Sequence, residues 1–375
     1  MEDFERARVD AYFRRITTRF ATGRRPSAVL ITHLLADRPL FVAAAARLST
    51  VAAVLPKPKS INSRALQEII QMAPCDTLDR KRLAQPDELI SYLETRAAGQ
   101  DLVLLDVGGY FAPALEDACA RFSGRVLGVV EDTENGLRRY LEAGKLPCPV
   151  FSVARSPLKD PEDYLVGQSV VFSAEALLRG RGDILHGRRA CVIGFGKIGS
   201  SVARLLHAKH VQVTVYDTDA VRMTQALAQG FRTASSSTDA LAGAGVVICA
   251  TGNLALRADD FARLANGAYV ASVTSADDEL ELAGLDVLYD RSPAGDHVAR
   301  YATTGHYFYV LNDGNAVNFL HGASVGAFIY LIQAEIFAAT AALAAGHPEP
   351  GLHQCDDDTR KFIAATWLQV FNGAP

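Results

Sequence analysis

A chain of 375 residues is long enough for two domains, and a hydrophobic share of 49% is ample for buried sheets in both. A net charge of −4 argues against nucleic acid or an anionic membrane as the main partner. The six cysteines are scattered without a C-x-x-C pair, and residues 1–8 lack the basic-then-apolar order of a secretory leader, so free thiols in a cytoplasmic setting are expected.

Short apolar runs alternate with longer amphipathic stretches, the pattern of helices layered on parallel sheets. Segments 28–32, 51–55, 102–106 and 126–130 are predicted strands of a first unit, with helices over 86–97 and 112–122 between them. Pro147-Cys148-Pro149 opens a further short extended piece, and 160–178 is predicted helical, with Pro161 tolerated in the first turn. A second unit begins near Gly187, with strands at 190–193, 211–216, 246–250, 269–273, 287–289 and 307–311. The apolar stretch 323–345 contains Gln333 and Glu335 and is predicted as a core helix, so no membrane span is expected. Segment 359–371 places Phe362, Ile363, Trp367, Leu368 and Phe371 at helical spacing, a stripe expected to pack on its own chain. The expected fold is α/β: two Rossmann-like domains with parallel sheets plus C-terminal helices. The boundaries are placed at 1–170 for a substrate domain, 171–320 for a dinucleotide domain and 321–375 for returning helices.

The densest signal is Ala190-Cys-Val-Ile-Gly194-Phe-Gly196-Lys197-Ile198-Gly199, followed by an amphipathic segment and a second apolar run that ends at Asp217. The first glycine permits the tight strand-to-helix turn, the second admits a pyrophosphate, and the third lets helix and strand pack closely. The helix that starts there aims free N–H groups and its positive dipole end at the phosphates. Asp217 is placed to accept hydrogen bonds from the adenosine ribose hydroxyls and to repel a 2′-phosphate, so NAD is the expected cofactor.

Two further blocks join this one. Glu131-Asp132-Thr133-Glu134-Asn135-Gly136 precedes a predicted helix, and Ser156-Pro-Leu-Lys159-Asp-Pro-Glu-Asp163-Tyr-Leu-Val-Gly167 opens another. Together with Ala250-Thr251-Gly252-Asn253 and Asn312 to Asn318, these blocks resemble the S-adenosylhomocysteine hydrolase family over most of the chain. The resemblance implies bound NAD⁺ that takes a hydride from a ribose 3′-hydroxyl. The ketone then acidifies the neighbouring C–H, the 5′ substituent leaves, water adds, and the hydride returns.

By the same resemblance, Lys159 and Asp163 are the catalytic lysine and aspartate, and Asp132 stands where a glutamate holds ribose hydroxyls. His33 falls on an active-site histidine, and Asp37 on a glutamate that helps read adenine. Thr133 and Asn135 occupy places of threonines that contact NAD, with Thr251, Asn253 and Asn318 as further cofactor contacts. Other positions depart from the family. Val107 replaces an aspartate before the glycine pair, and Asp106 beside it is expected to point to the opposite face of its strand. Ser275 and Val325 replace histidines, Leu35 a threonine and Gln168 a cysteine. The C-terminal tail that completes a neighbour's NAD site is missing, so a homodimer with sites completed within each chain is expected. His321 has no counterpart; it is either a local helix-start residue or a substitute acid–base group.

The groups that bind NAD and oxidise a diol are thus largely retained, and those that read adenine and drive elimination are mostly lost. This predicts an NAD-dependent enzyme acting on a nucleoside or polyol-like small molecule. A divergent adenosylhomocysteine hydrolase and a catalytically silent NAD-binding regulator remain as alternatives.

Overall fold

The computed structural model describes residues 1–274, 279–322, 325–346 and 348–373. The chain divides into two compact units, Met1–Lys159 with Ala327–Pro375, and Asp160–Gly326.

The first unit opens with α1 (Asp3–Phe20), whose Val9, Tyr12, Phe13 and Ile16 fall on one buried face. It continues through β1 (Ser27–Leu34), α2 (Arg38–Leu48), β2 (Thr50–Ile61), α3 (Ser63–Ile70), α4 (Arg80–Leu83) and α5 (Pro86–Ala97). β3 (Asp101–Asp106), α6 (Leu115–Arg121), β4 (Arg125–Glu131), α7 (Glu134–Glu142) and β5 (Pro149–Ser152) follow. β1, β3 and β4 are nearly continuous apolar runs, as strands covered by helices on both faces must be.

The second unit begins with α8 (Asp160–Gly180), β6 (Arg189–Ile193), α9 (Lys197–Ala208), β7 (Gln212–Tyr216), α10 (Ala220–Ala228) and β8 (Arg232–Thr233). It goes on through α11 (Ser237–Leu241), β9 (Val246–Cys249), β10 (Ala268–Ser272), α12 (Leu285–Leu288), β11 (Asp290–Gly295), β12 (Val298–Thr303) and β13 (His306–Leu311). Its sheet runs β11-β12-β13-β10-β9-β6-β7-β8. The pairs from β13 to β8 are parallel, while β11, β12 and β13 pair antiparallel. The parallel sheet expected is thus present over β13 to β8, and the antiparallel β11 and β12 at one edge make the whole mixed. The strand expected at 287–289 falls on the helical turn α12 instead, where Val287 is 87% exposed.

The chain then returns to the first unit with α13 (Ile329–Ala345), β14 (Gly351–His353) and α14 (Asp357–Phe371). The six-stranded sheet there runs β14-β5-β4-β3-β1-β2, all parallel. α13 is buried on every side, Gln333 and Glu335 included, and is a core helix. Ile363 of α14 is fully buried, and Phe362, Trp367 and Phe371 pack on the same core. Leu368, expected in that stripe, is 43% exposed.

The unit boundaries fall at 159 and 326 rather than at 170 and 320. The cause lies in α8. Gly167 comes so close to α9 that a Cβ there would lie 2.5 Å from Ser201 Cβ, so the whole helix belongs with the second sheet.

Candidate dinucleotide and substrate sites

In the second unit, β6 leads into a turn that only glycine fits. Gly194 has φ +93°, and a Cβ on it would meet Ala250 O at 2.6 Å. A Cβ on Gly199 would lie 1.9 Å from Gly194 O. Gly196 caps α9 without a side-chain hydrogen bond, which leaves the first N–H groups of Lys197, Ile198 and Gly199 for an outside acceptor. A side chain there would be met only by Arg222, whose Nη1 is 3.3 Å from the Cβ position.

Asp217, just past β7, does more than the sequence indicated. Its Oδ2 accepts from Phe195 N at 2.6 Å and its Oδ1 from Asp219 N at 2.9 Å, so it clamps the glycine turn to the next strand. Arg222 Nη1 stands 3.6 Å away. Lys197 Nζ pairs with Asp160 at 2.8 Å and lies 3.7 Å from the buried carboxylate of Asp163. Asn318 is 7% exposed, and its Oδ1 has no partner among the described residues. A buried amide oxygen of that kind fits the carboxamide end of a nicotinamide dinucleotide. The open glycine turn fits the pyrophosphate and Asp217 the ribose. These residues of the second unit therefore suit NAD.

Thr251 and Asn253 form the turn beyond β9. Glu279, fully buried, accepts from Gly252 N at 2.7 Å and from Thr251 N at 3.3 Å, and Thr251 Oγ1 lies 2.9 Å from its Oε2. The Thr251 side chain is thus committed to an internal acid that sequence reading passed over; an acid between Leu280 and an apolar strand end was the available signal. Burial pushes Glu279 up to about 7, against the hydrogen bonds that favour its charged form. Gln168 donates to Ser201 Oγ at 3.1 Å and joins α8 to α9. His321 is exposed, at φ +55°, with Nδ1 3.4 Å from Ser173 Oγ. Ser275 lies outside the described residues.

In the first unit, the C-terminal strand ends gather the other candidates. Lys159 Nζ pairs with Asp132 Oδ1 at 2.8 Å, with side chains only 10% and 17% exposed. His33 is the penultimate residue of β1, and its Nδ1 lies 2.5 Å from Ser60 Oγ. Burial, then the charges of Lys57, Arg38 and Lys159, hold His33 well below the ordinary imidazole value, so the ring is neutral near pH 7. Asp37 accepts from Gln333 Nε2 at 3.0 Å. Thr133 and Asn135 stand at the start of α7. Thr133 Oγ1 accepts from Gly136 N at 3.0 Å as the cap of α7, and Asn135 Oδ1 accepts from Arg138 at 2.7 Å.

Beneath them lies a buried acid pair. Glu131 accepts from Gly108 N at 3.1 Å, Gly109 N at 2.9 Å and Thr133 N at 2.6 Å. Gly136 must be glycine here, because a Cβ would lie 2.1 Å from the Glu131 carboxyl carbon. Asp106 Oδ2 accepts from Tyr140 Oη at 2.7 Å and Phe111 N at 3.1 Å, while Oδ1 has no partner among the described residues. The Asp106 carboxylate thus points to the side of the sheet occupied by Leu102, Leu104, Phe111 and Tyr140, as expected, whereas Val107 lines a small cavity with Leu105, Val130, Arg38, Asp132 and Gln333.

Burial, then Asp106, pushes Glu131 up to about 8. Its folded value thus exceeds the unfolded one, and the folded chain holds the extra proton. Stability from this group is full below the unfolded value and lost as pH rises through about 8. Glu279 acts in the same direction up to about 7, whereas His33 opposes it only below the unfolded imidazole value. Urea titrations are therefore expected to show stability falling by about 1–2 kcal/mol between pH ~6.5 and ~8. Glu131→Gln should flatten that slope, and a slope of opposite sign would contradict the assignment.

Residues 164–324 match the family described as S-adenosyl-L-homocysteine hydrolase, NAD binding domain. An adenosylhomocysteinase from Aeropyrum pernix is 28% identical over 244 residues, which cover 62% of this chain and 57% of that protein. The chain thus aligns with little more than half the length of that relative. Among solved structures, a phosphoglycerate oxidoreductase from Vibrio cholerae o395 superposes with a TM-score of 0.43 at 15% identity, covering 70% of this chain and 79% of that one. A glyoxylate reductase from Paecilomyes thermophila gives 0.36 at 14% identity, covering 66% and 73%. The second unit is therefore an NAD-binding domain of the S-adenosyl-L-homocysteine hydrolase family, and the chain is a distant homologue of adenosylhomocysteinase.

Proposed function

We propose that this protein is an NAD-dependent enzyme that oxidises a hydroxyl of a ribose- or polyol-like substrate, with elimination or hydration and re-reduction to follow. The observation that carries the reading is the buried Lys159–Asp132 pair, in a chain that also holds an NAD-binding domain. NAD⁺, when bound, supplies the hydride acceptor for a secondary alcohol. Asp132 fixes Lys159 Nζ and keeps lone pairs for vicinal hydroxyls. Lys159, as the neutral amine, takes up the hydroxyl proton at Nζ, becomes the ammonium beside Asp132, and returns the proton on re-reduction. The neutral His33 ring, steered by Ser60, is suited to move a proton in a later step. Val107, 9% exposed and without a titrating group, disfavours turnover of adenosylhomocysteine itself.

The test has two readouts. Denatured protein should release NAD rather than NADP. Asp217→Ala should weaken NAD binding by roughly ten- to a hundredfold, through lost hydrogen bonds to a charged group and a loosened turn. A panel of nucleosides and polyols should then reduce the bound NAD⁺, and Lys159→Ala should suppress that reduction while NAD content stays the same. A protein that prefers NADP, or one whose NAD⁺ no member of the panel reduces, would defeat the proposal. The second outcome would favour the silent regulator.

A further inference from the structure

Arg38 opens α2 just beyond the carboxyl end of β1 and is 8% exposed. Its Nε has no hydrogen-bond partner among the described residues. Asp37 balances the charge without a hydrogen bond: Nη2 lies 3.7 Å from Asp37 Oδ2, and both side chains are nearly covered. The Phe41 ring, its centroid 5.7 Å away, backs the guanidinium. Gln333 of α13 donates through Nε2 to that same Asp37 oxygen at 3.0 Å. An ionised carboxylate only accepts, so this bond fixes which way the amide faces and leaves Oε1 for another group. That oxygen is buried and has no partner among the described residues. One donor and one acceptor are therefore unmet on two side chains joined through Asp37, and both side chains line the same cavity.

The cavity lies at the carboxyl ends of the parallel strands, against Ile31 and Thr32 of β1, Val107 beyond β3, Asp132 beyond β4 and Ile332 of α13. The chain runs from β1 to β2 on one side and returns to β3 on the other, the reversal at which open α/β sheets take ligands. Its volume is about 20 Å³, room for a water or the terminal oxygen of a longer molecule, and far short of a purine or pyrimidine ring. Charge in the lining is balanced, Arg38 by Asp37 and Asp132 by Lys159 at 2.8 Å. A further carboxylate or phosphate would meet two acids and find both cations already matched. A neutral oxygen suits the place better. A carbonyl would accept from Arg38 and leave Gln333 Oε1 unmet, whereas a hydroxyl accepts the N–H and donates to the amide through one atom.

We propose that Arg38 and Gln333 seat a hydroxymethyl group of the substrate, with Asp37 holding both side chains in place. The ligand class is a neutral sugar or polyol. Its terminal carbon meets the aliphatic wall, and its vicinal hydroxyls reach Asp132 at the edge of the same cavity. This deepens the reading that the first unit binds a hydroxylated substrate, and it rests on that reading.

The test is calorimetry on the NAD-loaded protein with three methyl ribofuranosides that differ only at carbon 5. The parent carries the hydroxymethyl, the 5-deoxy compound a methyl group, and the uronate a carboxylate. The parent should bind roughly ten- to a hundredfold more tightly than either of the others. Arg38→Met and Gln333→Met should each bring the parent and the 5-deoxy compound to within about threefold of one another. A purely structural role would weaken both ligands alike and leave their ratio intact. The ligand series on the unmodified protein decides the matter where a variant fails to fold. Tighter binding of the uronate would overturn the neutral class. Equal affinity for the parent and the 5-deoxy compound, binding of none of the three, or a ratio that survives in Arg38→Met would overturn the seat itself. Reduction of bound NAD⁺ separates this from the broader reading. Selective binding of the parent without reduction keeps the seat and removes the oxidation proposal, whereas reduction by the parent and the 5-deoxy compound at equal KM does the reverse.

Discussion

Gly199→Ala is expected to abolish dinucleotide binding. The new methyl carbon would sit 1.9 Å from Gly194 O, well inside contact distance, and Gly194 has no room to retreat. A Cβ position on Gly194 is itself only 2.6 Å from Ala250 O, at φ +93°, so the turn is packed from both sides. Relief requires α9 to move off β6, and that shifts the N–H groups that face the pyrophosphate and strains the Phe195–Asp217 clamp. Overpacking of this kind costs about 1–3 kcal/mol in stability. The larger effect is on the ligand: NAD affinity should fall by more than ~100-fold, since the binding geometry and the helix terminus are lost together. Fluorescence titration with NADH and a thermal melt read the two effects separately. A variant that binds within threefold of the parent would show that the turn is far more pliant than its contacts indicate.

Glu335→Ala is expected to be the most destabilising single change in the first unit. Glu335 lies on α13 with no exposed surface, accepts from Arg360 Nε at 2.9 Å, and takes the hydroxyl of Ser156 on its other oxygen. Burial raises its pKa, and Ser156 and Arg360 work against that rise. Truncation leaves a guanidinium only 13% exposed without its buried anion, with the exposed Asp357 at 3.7 Å as a weak remaining partner, a loss of about 3 kcal/mol. Glu335→Gln keeps a hydrogen-bonding group and should lose less. The damage should also reach Lys159. Ser156 Oγ accepts from Leu158 N at 3.1 Å, and Ser156 O accepts from Lys159 N at 3.0 Å, so the acid fixes the turn that presents the lysine. Urea denaturation of the alanine and glutamine variants checks the order, and equal stability of all three proteins would refute it.

Strands whose apolar residues run without a break were legible in the sequence, because burial on both faces leaves no alternative reading. β1, β3, β4, β6 and β9 are of this kind. The hairpin of β11 and β12 was not legible: β11 is polar and carries Pro293 on the sheet edge, and β12 is broken by Arg300, so it lacks the apolar run by which the other strands were found. Segment 287–289 failed in the opposite sense, since two β-favouring residues beside a leucine say nothing of burial and Val287 is on the surface. The glycine turn and Asp217 were readable because sterics and hydrogen bonding fix which residues fit. Glu131 and Glu279 were not readable, since each depends on what separate elements bring together.

The order of the chain has a consequence for synthesis. Residues 160–326 form one uninterrupted stretch and are complete as a unit once they have left the ribosome. The first unit leaves it early yet lacks its central helix, α13, and its edge strand, β14, until the last segment emerges. Until then the face of β1, β3 and β4 that α13 will cover stays without its partner, a long exposure of apolar surface for a growing chain. The part made first is thus finished last, and loss of the final fifty or so residues would leave a chain with one folded unit and one sticky remnant.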